Sequence, residues 1–434
     1  MPDFQSKSIF RMGEALWVGF GLVASVFALL AGTRILTKLL STTEYGKLAL
    51  AVSLTTLAVQ VFGNPIGKSA IRFYAYWRKA GKLYGLIRKL CRSTLNTISG
   101  IFLFCVVIVI WGYYIEAFPD RNLIILTGIF AILMILNRIA FAFEDAARER
   151  KFRSIIQGLF EAGRFLIAVF LIAAFAAPDA EVVLVGFAVA GFFTFIGHSV
   201  FLYRLFKPFI VGQPDSKKKI ASNDFEIIQS FQRPLIVSSA CVWAVMMAER
   251  WALKSFGGLG DVGGYAAVYQ LAFMPMLLIS NFLVLLTEPI LYKLVGIKEK
   301  TPSSKQAIQT NRFMALVILL ASLILFLVLL FCHPIIGYFF LGAEFRSFSW
   351  IFPWLLLSGG CFAASQQLLL KLSAELRTGS LALLWCFVAS ISIVAYMISA
   401  YLWQIEGIVF SVVIVNISFV IFLLIFFNKE KLPR

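Results

Sequence analysis

Arg34 and Lys38 stand four residues apart in an apolar run, and Arg250 and Lys254 repeat that spacing in the second half of the chain. Four residues is about one helical turn, so each pair lies on one helix face. A guanidinium offers a planar fork of donors that suits phosphate, so the chemistry these pairs can do is anion binding. Arg164 follows Glu161 by three residues, and Glu249 directly precedes Arg250. Each carboxylate reads in two ways: it neutralises its arginine to fix helix packing, or it takes up a proton or sodium ion and releases the arginine to a ligand. Lys68 and Arg72, four apart beyond the breaker Asn64-Pro65, read either as loop charge or as the inner mouth of an anion path.

Other chemistry is poorly served. The two histidines, His198 and His333, are far apart, and the six cysteines form no C-x-x-C pair, so no metal site or disulfide framework is expected. His198 reads as a packed neutral imidazole, Glu288 as interfacial, and Arg138 with Glu144-Asp145 as charge at the inner end of a span. No G-x-x-x-x-G-K-[ST] run occurs, so ATP is not expected to supply the energy. Of 434 residues, 60% are hydrophobic and 14% charged. A soluble chain carries about 25% charged residues, so a soluble enzyme is excluded. The net charge of +17 fits cytoplasmic loops that face anionic lipid rather than nucleic acid.

The elements that must position these residues are bilayer spans of about 20 residues. Apolar runs predict all-α spans at 15–40, 47–66, 94–117, 122–143, 155–177 and 182–206, then at 234–256, 263–288, 311–332, 348–370, 379–403 and 407–427. With the N-terminus inside, the inner set is the two termini and the linkers 67–93, 144–154, 207–233, 289–310 and 371–378. Only Arg34, Lys38, Lys47, Arg121, Arg250, Lys254 and Arg346 fall on the other side, and Arg164 lies within the fifth span. That bias predicts a multi-pass plasma-membrane protein with both termini cytoplasmic. The outer loops are short, which argues against a glycan polymerase or ligase built on them.

The linker 207–233, with Lys217-Lys218-Lys219, divides six spans (1–206) from six (234–434). Both halves share a pattern: Arg34 and Lys38 followed by Glu44-Tyr45-Gly46, and Arg250 and Lys254 followed by Asp261-Val262-Gly263. Since both halves begin inside, the repeat is parallel, and it predicts two six-helix lobes related by a pseudo-two-fold along the membrane normal around a central cavity.

The run Thr33-Arg34-Ile35-Leu36-Thr37-Lys38-Leu39-Leu40-Ser41-Thr42-Thr43-Glu44-Tyr45-Gly46 resembles the first-helix signature of polysaccharide-biosynthesis proteins. These are O-antigen flippase-like members of the multidrug/oligosaccharidyl-lipid/polysaccharide (MOP) exporter superfamily. Ala248-Glu249-Arg250-Trp251-Ala252-Leu253 with Gly263-Gly264-Tyr265-Ala266 is similar to the family's seventh-helix pattern, although Glu249 stands where the family often has Asp. The resemblance implies a bacterial inner-membrane flippase, not an enzyme, which moves a polyprenyl-diphosphate-linked oligosaccharide to the outer leaflet. It further implies alternating access, H+ or Na+ as a coupling ion, and a glycan polymerase and chain-length regulator as partners. On that reading Arg34, Lys38, Arg164, Arg250 and Lys254 hold the diphosphate, Lys68 and Arg72 gather it, and Glu161 and Glu249 couple the ion. The alternative within the superfamily is an ion-coupled multidrug exporter, but the deep groups here are mostly basic, which favours an anionic cargo.

Overall fold

A computed structural model describes residues 12–81, 83–115, 121–211, 222–295, 302–375 and 378–429, and among these there are helices and turns but no strand. The order is α1 (Met12–Leu39), α2 (Thr42–Ala58), a π turn (Val59–Gly63), α3 (Asn64–Lys79), α4 (Leu83–Ile115), α5 (Arg121–Ala147), α6 (Arg150–Phe175) and α7 (Ala180–Val211). There follow α8 (Ser222–Phe256), α9 (Leu259–Val295), α10 (Pro302–Phe340), a 3-10 turn (Ala343–Phe348), α11 (Ile351–Ala374) and α12 (Thr378–Lys429). Ten stretches of the described residues are long and apolar enough to cross a bilayer. The chain is a multi-pass membrane protein.

The helices match the twelve expected passes in number, because α2 and α3 run on as one and α12 doubles back; α4 is the one outside the ten apolar stretches. Trp403 and Gln404 leave helical geometry, with Gln404 at φ 46°. In an unbroken helix Ser399 and Ser411 would be about 18 Å apart, yet their hydroxyls lie 3.0 Å from each other. The chain therefore reverses at Trp403-Gln404 and runs back along itself.

The expected inner linkers are mostly helix. α3 occupies the first part of 67–93, and its exposed Lys68 and Arg72 alternate with buried Ile66, Ala70, Tyr74 and Trp77. That 3.6-residue periodicity lets the helix continue where the apolar run stops. Asn64-Pro65 does not break it. Pro65 lies in the first turn of α3 after the π turn, where the wider turn accommodates a residue that cannot donate a backbone hydrogen bond. Within 144–154 only Arg148 and Glu149 lie between α5 and α6. The stretch 212–221, including Lys217-Lys218-Lys219, lies outside the described residues.

In the first half α7 packs on α5 and α6, α1 on α6, and α3 and α4 on α5. In the second half α11 lies among α9, α10 and α12, and α12 packs on α8. Side-chain amides tie the second half internally: Asn416 Nδ2 donates to Ser358 Oγ at 2.9 Å and Gln367 Nε2 to the Ser280 carbonyl at 3.3 Å. Such interhelical bonds contribute about 0.6 kcal/mol each in membrane proteins. An exposed stripe on α12 (Leu383, Phe387, Val394, Ile398, Tyr401) faces outward, as a lipid-contacting surface requires.

The halves meet chiefly along α2 and α9. Their first turns cross so closely that a Cβ on Gly46 would collide with the Leu259 carbonyl oxygen, and one on Gly263 with the Thr42 carbonyl oxygen. Each glycine meets the residue four before the other, the reciprocity a two-fold relation demands. The glycines of the sequence repeat are thus the crossing point of the two halves.

Candidate functional site

The start of α2 explains half of the repeated motif. Ser41 caps the helix by accepting from the Glu44 backbone N–H at 3.2 Å, and the acid sits where the helix dipole favours it. The Glu44 carboxylate also accepts from the Ala180 N–H at 3.0 Å, joining the first turns of α2 and α7. Glu44 and Gly46 therefore pin α2 to α7 and to α9 at one end of the molecule.

A pocket of about 50 Å³ lies between the halves, walled by Thr33 and Leu36 of α1, Tyr45 and Leu48 of α2, Arg164 and Phe165 of α6, Phe187 of α7, Arg250 of α8, and Ala266 and Gln270 of α9. That volume is room for a few waters. Arg164 is held by Glu161, 2.6 Å away, and by the faces of Phe165 and Phe187, with ring centroids 4.6 and 5.2 Å from its guanidinium carbon. Arg250 lies over Tyr269 at 4.7 Å, and Tyr269 stacks on Phe273 at 4.4 Å. Such cation–π contacts stabilise desolvated guanidinium by about 2 kcal/mol. Both arginines keep a buried Nε–H without a hydrogen-bond partner.

Behind Arg250 is an under-satisfied polar cluster. Glu249 Oε1 is 3.7 Å from Arg250 Nε, an ion pair too long for a hydrogen bond. Both Glu249 oxygens and the hydroxyls of Tyr265 and Tyr269 lack hydrogen-bond partners, although all three residues are buried. Unpaired polar groups in this setting are costly, which makes the cluster a candidate functional position.

Of the expected diphosphate set, the structure brings Arg164 and Arg250 together at the pocket and leaves the others away from it. Arg34 donates to the Leu341 carbonyl at the end of α10, and the neighbouring Thr37 Oγ1 accepts from Gly342 N–H at 3.0 Å. A cation near a helix C-terminus satisfies carbonyls that the helix leaves unpaired. Lys38 and Lys254 are exposed, as interfacial side chains that reach for headgroups are. Trp251 donates to Ser53 Oγ at 3.0 Å, and Trp243 donates to the Ser53 carbonyl at 2.8 Å. At the basic end, where most Lys and Arg lie, Arg72 covers Phe231 of α8 at 4.9 Å, so it joins the halves there while Lys68 is exposed on α3.

Sequence reasoning missed Thr33, Tyr45 and Gln270 as pocket residues. Tyr45 was visible only as part of a motif, and the one signal for Gln270 was a lone amide in an apolar run. It also missed that Glu144 and His198, assigned to separate bland roles, touch each other.

No family model matches the chain, and no curated protein matches it in sequence. Solved structures do share its fold. An inward-facing multidrug resistance MATE family transporter of the MOP superfamily superposes with TM-score 0.70 over 94% of each chain at 12% identity. The lipid II flippase MurJ in an inward closed conformation gives 0.68 over 98% of this chain and 88% of its own at 14% identity. A Vibrio cholerae MATE transporter gives 0.64 over 96% and 95% at 14% identity. The chain therefore shares the fold of these transporters and of that flippase.

Proposed function

We propose that this chain moves a polyprenyl-diphosphate-linked oligosaccharide from the inner to the outer leaflet of a bacterial plasma membrane, for O-antigen, capsule or exopolysaccharide assembly. The observation that supports this best is that Arg164 and Arg250, one from each half, wall the same pocket and each keep a buried, unaccepted N–H. Two guanidinium groups match the two charges of a diphosphate, and rocking of the halves about the Gly46–Gly263 crossing would open the pocket to either leaflet in turn. The polyprenyl tail stays in lipid while the sugar follows the polar path. For a head of about two negative charges, a 100 mV potential favours outward movement by ~4.6 kcal/mol. Uptake of H+ or Na+ by Glu161 breaks its pair with Arg164, and Glu249 stands in the same relation to Arg250. Glycan polymerase and chain-length regulator are the partners this role calls for.

One observation favours a second reading, an ion-coupled multidrug exporter. Each arginine already has a carboxylate beside it, and the pocket has an aromatic wall of Tyr45, Phe165 and Phe187. Reconstituted vesicles decide between them. Arg164→Glu with Arg250→Glu is expected to abolish flipping of a fluorescent polyprenyl-diphosphate sugar while the protein still inserts. Undiminished flipping, or efflux of cationic dyes without lipid movement, overturns the proposal.

A further inference from the structure

Near the basic end of the first half, Glu144 of α5 and His198 of α7 make a contact that the pocket chemistry does not use. His198 Nδ1 and Glu144 Oε1 are 2.6 Å apart, and both side chains are fully buried. Their remaining polar atoms, Glu144 Oε2 and His198 Nε2, have no hydrogen-bond partner. The walls are aromatic: Phe141 presents its edge to the imidazole at 4.5 Å and Phe152 of α6 at 6.2 Å. Among charged neighbours, Asp145 is paired with Arg153 of α6 at 2.8 Å, and Arg153 lies over Phe141 at 5.3 Å. Arg138 of α5 donates to Asn64 of α3 at 2.6 Å. Arg78 and Tyr74 of α3 line a separate surface pocket with Arg148, and Arg88 and Arg92 of α4 are exposed.

The charge arithmetic of such a pair is restrictive. A carboxylate beside a neutral imidazole leaves one negative charge enclosed by rings, and full protonation leaves one positive charge. A single shared proton leaves the pair neutral overall. An uncompensated charge in this setting costs several kcal/mol, so the enclosed pair retains one proton until water reaches it. In this structure the pair is enclosed among α5, α6 and α7.

We propose that Glu144 and His198 form a proton-binding site of the first half, separate from Glu161 and Glu249, which holds one proton while this end is closed and discharges it when the end opens. Proton occupancy stands apart from the transport reading, and only the coupling of discharge to opening rests on it. With the proton lost, the buried charge opposes reclosure, so the state of this pair biases which end is open.

The chain has two histidines, which makes the test direct. Full-length protein labelled with 15N-histidine in nanodiscs gives two ring systems, and His333→Gln assigns them. His198 is expected to show either a protonated ring or a neutral ring accompanied by a protonated-carboxyl infrared band, unchanged from about pH 6 to about pH 8. Glu144→Gln should abolish that ring signature or that band. Hydrogen exchange of peptides over 133–150 and 190–206, corrected for the intrinsic pH effect, should rise roughly tenfold in the wild type between about pH 7 and about pH 9. It should stay flat in Glu144→Gln and in His198→Gln. A neutral His198 with no carboxyl band sensitive to Glu144→Gln, or the same pH response in the variants, overturns the proposal. Charge reversal at Arg164 and Arg250 should leave the histidine signature untouched, which separates failure here from failure of the cargo reading.

Discussion

Arg34 precedes Gly46 by twelve residues and Arg250 precedes Gly263 by thirteen, each with a lysine four positions on, yet the two arginines end in opposite employment. Arg34 spends its guanidinium on the Leu341 carbonyl, at the corner where α10 leads into the 3-10 turn. Arg250 lies on the Tyr269 ring beside Glu249 and faces the pocket. Local sequence set both side chains on corresponding faces; the neighbour each face meets decided the rest. One meets an unpaired backbone oxygen and becomes a brace between the halves. The other meets rings and an acid, and keeps a donor to spare.

The largest effect that would test this contrast comes from replacing one arginine at a time. Arg250→Glu is expected to lower delivery to the outer leaflet at least about a hundredfold, equivalent to ~2.7 kcal/mol, whereas Arg34→Met should change it by no more than about twofold. Equal losses would erase the distinction. Next come the crossing glycines: Gly46→Leu and Gly263→Leu each force the first turns of α2 and α9 apart. Labelling of Thr33→Cys by an impermeant maleimide is expected to quicken by roughly tenfold in both backgrounds, a shift of ~1.4 kcal/mol toward opening; a response to only one substitution would break the reciprocity. In the thermal melt, Arg34→Met should lower the midpoint by the loss of a charged hydrogen bond, about 1.5–3 kcal/mol, with transport kept. Smallest of all, Lys38→Ala and Lys254→Ala should leave melting and transport within about 0.5 kcal/mol of the parent.

How much of this was readable beforehand follows from what each signal depends on. Twelve passes and the repeat were legible because apolar runs and cation bias are written along the chain. The helical run of α3 through 67–79 was obscured by Asn64-Pro65, whose consequence depends on the π turn before it. In the site, Arg164 and Arg250 were legible as deep cations. That Arg34 would be spent on a carbonyl was not, since Leu341 lies 307 positions away and only tertiary docking brings it near. Glu144 and His198 were both visible as single residues; their pairing required the packing of α5 on α7.

The reversal at Trp403-Gln404 limits which residues the hairpin tip tolerates. With Ser399 facing Ser411 at 3.0 Å and Gly407 set against the Ser399 carbonyl, the final two passes share a turn with no spare residues. The two backbones approach so closely there that a Cβ on Gly407 would collide with the Ser399 carbonyl oxygen, so any larger residue at 407 would splay the hairpin at its tip.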